Sequence, residues 1–288
     1  MASEVLIASG HPHLHWFADP LVLVPLFLFA GIYVWRFRQA RGEVLARGGS
    51  PAQRGVGPLQ ALAFGGGMLA LLAALVSPLD GLGDDYLFSA HMLQHVLLGD
   101  VAPLLVLLSL SRVIMRPATR RLVSVERALG RFAHPLTGLF LWFGLIYLWH
   151  IPALYDAAID SDLVHAVEHM SFFTAGVALW WPLIQPVPMR RRMKGMWPFA
   201  YIGAAKLGLA GLGLYLTWSS AVAYEHYETV PRIWGLTAVE DQNVGGAMMM
   251  LEQSIVLLIA FVVLFVHMLT QSEADEQRRE RLERAAAA

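Results

Sequence analysis

The sequence predicts an all-α integral membrane protein, a single bundle of seven transmembrane helices with its N-terminus outside and its C-terminus in the cytoplasm. Composition is the first observation that favours this class. Of the 288 residues, 57% are hydrophobic and 15% are charged, whereas about a quarter of the residues in soluble domains are charged. The second observation is that the hydrophobic residues form blocks of about 20, the length of helix that crosses the roughly 30 Å hydrocarbon core of a bilayer.

Seven spans are predicted in chain order, at about residues 20–37, 58–77, 88–110, 135–150, 163–185, 199–218 and 246–269. A secretory signal begins with basic residues, and no Lys or Arg precedes the first span. We therefore expect this span to be a retained helix. The sixth is rich in glycine, which favours close helix packing in lipid. The chain then divides into an extracytoplasmic His-containing segment (1–19), a seven-helix transmembrane domain (20–270) and a charged cytoplasmic tail (271–288).

The charges of the loops predict the orientation. Arginines follow the first, third, fifth and seventh spans, whereas Asp and Glu collect in the three alternate loops. Cytoplasmic loops carry the excess of Lys and Arg, so the acidic loops are expected outside. The formal net charge of −1 offers no basis for binding nucleic acid, and the absence of cysteine excludes thiolate metal sites and disulfides.

On this topology nine of the eleven histidines fall on the outer side. Two pairs have the spacing HxxxH, which places both imidazoles of a pair on one helical face. Both pairs start a span at the same depth, so they predict a metal or cofactor site that comprises His91, His95, His150, His165 and His169. His11, His13 and His15 are interpreted either as a metal-binding tail or as a solvated terminus. His134 and His267 are interpreted as structural.

The other residues near the histidines decide which metal is expected. Histidine with methionine and without cysteine favours copper, particularly Cu(I), whereas histidine with carboxylate also suits zinc or iron. Gln94 and Glu168 lie on the same stripes as the histidines and are expected to orient imidazoles. The candidate soft or second-shell ligands are Met92, Gln94, Glu168, Met170, Met248, Met249 and Glu252. A run of methionines such as 248–250 serves core packing more often than metal binding.

Two charges lie well inside predicted spans, where a charged side chain usually faces the bundle interior. Asp100 and Lys206 have similar depths, so we expect them to form an ion pair; the alternative for Lys206 is that it extends toward the cytoplasm. Pro103 is expected to disturb the third span near Gly99, because its ring crowds the carbonyl four residues earlier.

Three segments of the sequence resemble a known family. The segments are HMLQHVLLGDVAPLLVL (91–107), WHIPALYDAAIDSDLVHAVEHMSFFTAGVALWWPLI (149–184) and VEDQNVGGAMMM (239–250), and they are similar to those of the CtaG family of assembly factors for caa-type cytochrome c oxidases. The matching positions are His91, His95, Asp100, His150, Asp156, His165, Glu168, His169 and the stretch 241–250. The resemblance implies a role in oxidase maturation at the bacterial plasma membrane, with copper handling.

The leading hypothesis is a non-enzymatic copper chaperone, whose partners are oxidase subunits, extracytoplasmic copper chaperones and the lipid bilayer. Whether it forms a homo-oligomer is left open. Three alternatives remain. The first is a seven-helix zinc hydrolase that activates water beside Glu168 or Glu252. The second is a protein that holds haem between the third and fifth spans, and the third is a copper or proton channel through Asp100 and Lys206.

Overall fold

The computed structural model describes residues 16–189, 191–193 and 195–287, and these form helices and connecting loops with no β-strand among them. The predicted all-α class is therefore confirmed for the described part of the chain. The histidines predicted as a terminal tail, at positions 11, 13 and 15, lie outside the described residues, as does the side chain of His267.

The helices follow one another with short connections. In chain order they are α1 (Pro20–Leu45), α2 (Pro58–Leu75), α3 (Leu79–Asp85), α4 (Phe88–Val96), α5 (Ala102–Ser109), α6 (Arg116–Leu129), α7 (Pro135–Trp149), α8 (Pro152–Ile159), α9 (Asp162–Ile184), α10 (Trp197–Trp218), α11 (His226–Thr229) and α12 (Ala238–Ala287). A π-helical segment (Leu97–Val101) joins α4 to α5, and a 3₁₀ turn (Gly130–Ala133) follows α6. The predicted charged tail continues α12 without a break.

Several helices are long and apolar enough to cross a membrane, which indicates a multi-pass membrane protein. By length and composition five described stretches qualify, namely Pro20–Leu45, Pro58–Asp85, Phe88–Ser109, Trp197–Trp218 and Ala238–Ala286. A sixth is added if Arg116–Ala133 and Pro135–Trp149, which meet at 71°, count as one bent span. These criteria give five or six spans rather than the predicted seven. Helix α9 has 23 residues but carries two histidines and a glutamate, which lower its mean hydropathy.

The third predicted span is interrupted beside Asp100, as Pro103 leads one to expect. A proline has no N–H to donate and its ring crowds the carbonyl at position i−4, which is Gly99. The π-helical segment Leu97–Val101 accommodates this disturbance and contains Asp100. The Gly99 carbonyl packs directly against Gly176 of α9, where a Cβ would overlap it. This glycine contact joins the π-helical segment closely to α9, so side chains of α4, just before that segment, can share a site with those of α9.

The start of α12 ties together the end of the bundle that contains His91, which we call the histidine end. The Asp241 carboxylate accepts hydrogen bonds from the backbone N–H groups of Phe88 (2.6 Å) and Ser89 (3.1 Å), so it caps α4 from another helix. The Asn243 amide donates to the carbonyls of Leu216 and Ser219 at the end of α10. The polar motif at 241–243 thus holds α4 and α10 in place.

Two contacts at the opposite end are structural. The Tyr33 ring of α1 stacks on Phe64 of α2 with 3.7 Å between ring centroids. The ring nitrogen Nδ1 of His134 accepts a hydrogen bond from the Leu136 N–H at 3.2 Å and caps α7. The structural interpretation of His134 is confirmed.

Candidate metal centre

Four of the predicted histidines come together between α4 and α9. The rings of His91 and His165 are stacked, with 5.5 Å between centroids and 10° between planes. Within each helix the HxxxH pair is also in contact, with centroids 4.3 Å apart for His91 and His95 and 4.1 Å apart for His165 and His169. The i,i+4 spacing predicted from sequence therefore produces one cluster from two helices.

Two carboxylates complete this cluster. Asp84, at the end of α3, places Oδ1 3.5 Å from His91 Nδ1 and Oδ2 3.6 Å from His165 Nδ1. Glu168 places Oε1 3.5 Å from His95 Nε2. Two groups of three potential ligand atoms have mutual distances within 4.8 Å: one from Asp84, His91 and His165, the other from His91, His95 and Glu168. His91 belongs to both.

The distances and donor types fit a metal ion. Ligand atoms bound at about 2.1 Å in a tetrahedron lie roughly 3.4 Å from one another, close to the separations of 3.5 and 3.6 Å in this cluster. Neutral imidazole nitrogens and carboxylate oxygens are ordinary ligands for copper, zinc and iron.

Most of the polar atoms of the cluster are buried and lack a hydrogen-bond partner within the described residues. Those atoms are Asp84 Oδ1, both ring nitrogens of His91 and His95, Nε2 of His150, His165 and His169, and both carboxylate oxygens of Glu168. Burying a polar atom without a partner is costly, and native proteins rarely concentrate such atoms. A ligand that accepts their lone pairs removes this cost, so the cluster has the character of a binding site.

His150 and His169 lie at the edge of the cluster. Their ring centroids are 6.3 Å and 5.9 Å from that of His95, and neither belongs to the two compact groups. His150, at the end of α7, uses Nδ1 in a 2.8 Å hydrogen bond with the Ile146 carbonyl. The five predicted histidines are thus neighbours, but they do not surround a single point.

The predicted soft and second-shell residues have different environments. Met92 is fully buried and Met249 is 7% exposed, and both line a cavity below His95. Met170 is 71% exposed and does not line it, and Met248 is half-buried. Instead of orienting an imidazole, the Gln94 amide donates to the Ala74 carbonyl at 2.9 Å and to the Asp80 carboxylate, which ties α4 to α2 and α3.

The two intramembrane charges form the expected pair. Lys206 Nζ contacts Asp100 Oδ2, and the other carboxylate oxygen of Asp100 accepts a 2.7 Å hydrogen bond from Trp180 Nε1. Glu252 Oε1 lies 3.7 Å from Lys206 Nζ. The ammonium also lies 5.8 Å and 5.4 Å from the ring centroids of Trp142 and Trp180, within the range of cation–π attraction. This charged layer lies below the histidines.

Three tyrosines cover the histidine end: Tyr155 of α8, Tyr224 of the loop after α10 and Tyr227 of α11. The Tyr155 and Tyr227 hydroxyls are 3.0 Å apart, Tyr227 donates to the Gly83 carbonyl at 2.7 Å, and Tyr224 donates to the His150 carbonyl at 3.3 Å. Burial raises the pKa of each of these three hydroxyls, so they remain neutral donors. Tyr227, bonded to Tyr155, holds α3, and with it Asp84, against the histidine cluster.

Asp84 is the ligand candidate that the sequence did not indicate. It appeared there only as one of several acids in a loop, and α3 is a helix of 7 residues whose packing cannot be inferred from hydropathy. Its spacing of seven residues before His91, two helical turns, is the one local signal that could have suggested it.

Comparison with known proteins decides the family. The sequence profile of the cytochrome c oxidase caa3 assembly factors (Caa3_CtaG) matches residues 31–271. The chain belongs to this family. The match includes every residue of the histidine cluster and of the charged layer, and it confirms the family that the three sequence segments resemble.

Three proteins similar to this Caa3_CtaG member are mycobacterial. An uncharacterised protein of Mycobacterium leprae (strain TN) is 24% identical over 210 residues, which cover 68% of this chain and 32% of that protein. Uncharacterised proteins of Mycobacterium bovis and Mycobacterium tuberculosis are each 26% identical over 273 residues, or 86% of this chain and 41% of theirs. The chain thus spans less than half the length of these relatives. No solved structure matches it significantly.

Proposed function

We propose that this assembly factor binds copper at the outer face of the bacterial plasma membrane and delivers it to a cytochrome c oxidase during assembly. The observation that carries the proposal is the cluster of unpartnered, buried imidazole and carboxylate atoms formed by Asp84, His91, His95, His165 and Glu168. Family membership supplies the oxidase as the destination. Copper is the cargo in this proposal, and the side chains bind and release it.

The exposure of the ligands supports a route of entry. The side chains of Asp84 and His165 are 30% and 13% exposed, whereas those of His91, His95 and Glu168 are nearly or fully buried. An ion that arrives at the histidine end meets Asp84 first. The negative charge of Asp84 favours a cation at this entrance, and an extracytoplasmic copper chaperone could transfer its ion here.

The proposal includes seven spans, with α7 and α9 crossing the membrane in addition to the five long helices. Glu168 is fully buried, so the polar face of α9 packs inside the bundle, as charged residues within spans do. The excess of arginine at the other end supports an outer position for the histidine end.

The topology can be tested by cysteine labelling. The chain has no cysteine of its own, so each introduced cysteine is a unique reporter. With seven spans, Ser161→Cys before α9 reacts with an impermeant maleimide in intact cells, and Ser50→Cys after α1 reacts only after lysis. The opposite pattern would reverse the orientation, and labelling of both in intact cells would contradict the span count.

Metal binding to the purified protein tests the copper proposal. We expect the wild-type protein to bind copper with defined stoichiometry. The triple variant Asp84→Asn/His91→Ala/His165→Ala should lose the copper bound by the cluster. The matched control is His134→Asn, which removes a distant imidazole and keeps a side chain suited to an N-cap. Copper stoichiometry that is the same in the triple variant and in the wild type would refute the site.

A cellular experiment separates copper delivery from other roles in assembly. In a bacterium that lacks its own family member, the wild-type chain should restore oxidase activity and the triple variant should not. With copper delivery as the role, oxidase from cells with the triple variant retains haem and subunits but lacks copper. Loss of the oxidase subunits themselves would instead indicate a holding function.

The two carboxylates of the cluster favour the zinc hydrolase as an alternative, because histidine with carboxylate also suits zinc. A zinc hydrolase of this family would contain zinc when purified from its native membrane, and Glu168→Gln would abolish hydrolysis while zinc stays bound. Copper in the native protein argues against it. The same sample decides the haem alternative, since bound haem absorbs strongly in the visible spectrum.

A further inference from the structure

A small cavity separates the histidine cluster from the charged layer. Its volume is about 30 Å³, which is room for one or two atoms of the size of water and not for an organic ligand. Its walls include Met92, His95, His150 and Met249, and its lower end includes Asp100 and Glu252. Nitrogen and sulfur donors therefore line a space of the size of an ion.

His150 is prepared to act as a ligand in this cavity. A carbonyl oxygen can only accept, so the 2.8 Å contact between His150 Nδ1 and the Ile146 carbonyl places the proton of a neutral ring on Nδ1. Nε2 then carries the free lone pair, is buried and has no hydrogen-bond partner in the described part of the chain. A hydrogen bond from the remote ring nitrogen to a carbonyl is the usual way in which proteins orient a metal-binding histidine.

The two methionines distinguish this cavity from the cluster above it. Met92 on α4 and Met249 on α12 come from different helices, and both are buried against the same small space. Buried methionine most often serves packing. Here the two thioethers share the cavity with an imidazole whose lone pair is free, and a soft donor set of this kind selects Cu(I) over zinc or Cu(II).

The charged layer provides the matching electrostatics. Lys206 and Asp100 form a buried ion pair, and Glu252, whose side chain is 10% exposed, lies 3.7 Å from Lys206 as a second acid beside that one lysine. An uncompensated charge is expensive in such an environment. A cation in the cavity favours the ionised form of Glu252, and a monovalent cation is balanced by that single carboxylate.

We propose that the cavity is a second, inner metal site, which takes Cu(I) through His150 Nε2 and the sulfur atoms of Met92 and Met249. This inference rests on the proposed function and divides the predicted single site into two. The outer site, of Asp84, His91, His165 and Glu168, has nitrogen and oxygen donors; the inner site has sulfur. His95 borders both, since it belongs to a compact ligand group and also lines the cavity.

The test compares Cu(I) and Zn(II) binding by the purified full-length chain. The key variant is Met92→Leu/Met249→Leu, which removes both sulfur atoms and nearly conserves volume; the control is Met170→Leu, at a methionine that is 71% exposed. We expect sulfur scattering in the X-ray absorption spectrum of the Cu(I) form, present in the control and lost in the double variant. Changes to supporting residues alone weaken metal sites by about 10- to 100-fold, so the double variant should bind Cu(I) at least about 10-fold more weakly.

The outcomes separate the inner site from the proposed function. Zn(II), which uses the outer site, should bind the methionine double variant as it binds the wild type, and this also verifies that the variant is folded. If the wild-type Cu(I) spectrum lacks sulfur, or the double variant retains full Cu(I) affinity, the inner site is refuted and the outer site stands. If neither metal binds the wild type, both proposals are refuted.

Discussion

The buried ion pair between Lys206 and Asp100 gives a quantitative prediction that does not depend on any metal. Both side chains are at most 2% exposed, so solvent does not screen the pair. Lys206→Met keeps the bulk of the side chain and removes the charge. The variant leaves Asp100 and Glu252 as two buried carboxylates without their shared cation.

The expected loss of stability follows from this arrangement. Removal of one partner of a buried ion pair costs about 3–5 kcal/mol, because the remaining charge stays buried, whereas replacement of both partners is often close to neutral. We therefore expect Lys206→Met to lower the free energy of unfolding by about 3–5 kcal/mol. The double variant Lys206→Met/Asp100→Asn should recover about half of that loss or more, since the amide can still accept from Trp180.

The assay is denaturation in detergent micelles, monitored through the circular dichroism signal of the helices. It compares the wild type, Lys206→Met, Asp100→Asn and the double variant. The coupling energy of this cycle isolates the pair. The control is Arg284→Met, whose partner Glu280 is 3.1 Å away in an exposed pair; exposed pairs contribute about 1 kcal/mol or less. If Lys206→Met is as stable as the control, or the double variant is no more stable than Lys206→Met, the reasoning is wrong.

Three further variants probe the contacts that position the site. Gly176→Ala adds a methyl group that overlaps a carbonyl of the π-helical segment, so it should cost about 1–3 kcal/mol and weaken metal binding. Its control, Gly144→Ala, meets open space and should be neutral or stabilising. Asp241→Ala removes the cap of α4 and should cost about 1–2 kcal/mol. Trp180→Phe deletes the hydrogen bond to Asp100, which is charged, and should cost about 1.5–3 kcal/mol.

All three are measured by the same denaturation assay, together with metal titration for the glycine pair. Equal stability of Gly176→Ala and Gly144→Ala would contradict the close approach of α9 to the π-helical segment. An Asp241→Ala variant as stable as the wild type would show that the cap on α4 does not stabilise the fold. An unchanged Trp180→Phe variant would mean that Asp100 is satisfied by Lys206 alone.

Local patterns predicted much of what positions the site. The HxxxH pairs lie on one face of α4 and of α9 because the helical repeat alone determines which side chains share a face. The disturbance near Gly99 follows from the geometry of Pro103. The similar depths of Asp100 and Lys206 predicted their ion pair, because a charge inside a span needs a partner in the bundle.

Other features of the site depend on contacts between distant segments. Asp84 reaches His91 because Tyr227 of α11, bonded to Tyr155 of α8, holds the short helix α3 in place. His150 turns away from the compact ligand groups because the Ile146 carbonyl binds its Nδ1. Met92 directly follows His91 and Met170 directly follows His169 in sequence, yet Met92 is buried and Met170 is 71% exposed.

The sequence by itself determined the membrane class, the all-α fold, the family and the two histidine pairs, because hydropathy, helical spacing and motif order are properties of local sequence. The tertiary structure decided which residues meet at one point: it added Asp84, directed Gln94 elsewhere and separated His150 from the outer cluster. These outcomes depend on the rotation and spacing of packed helices, which contacts such as Gly99 with Gly176 set, and no local pattern encodes them.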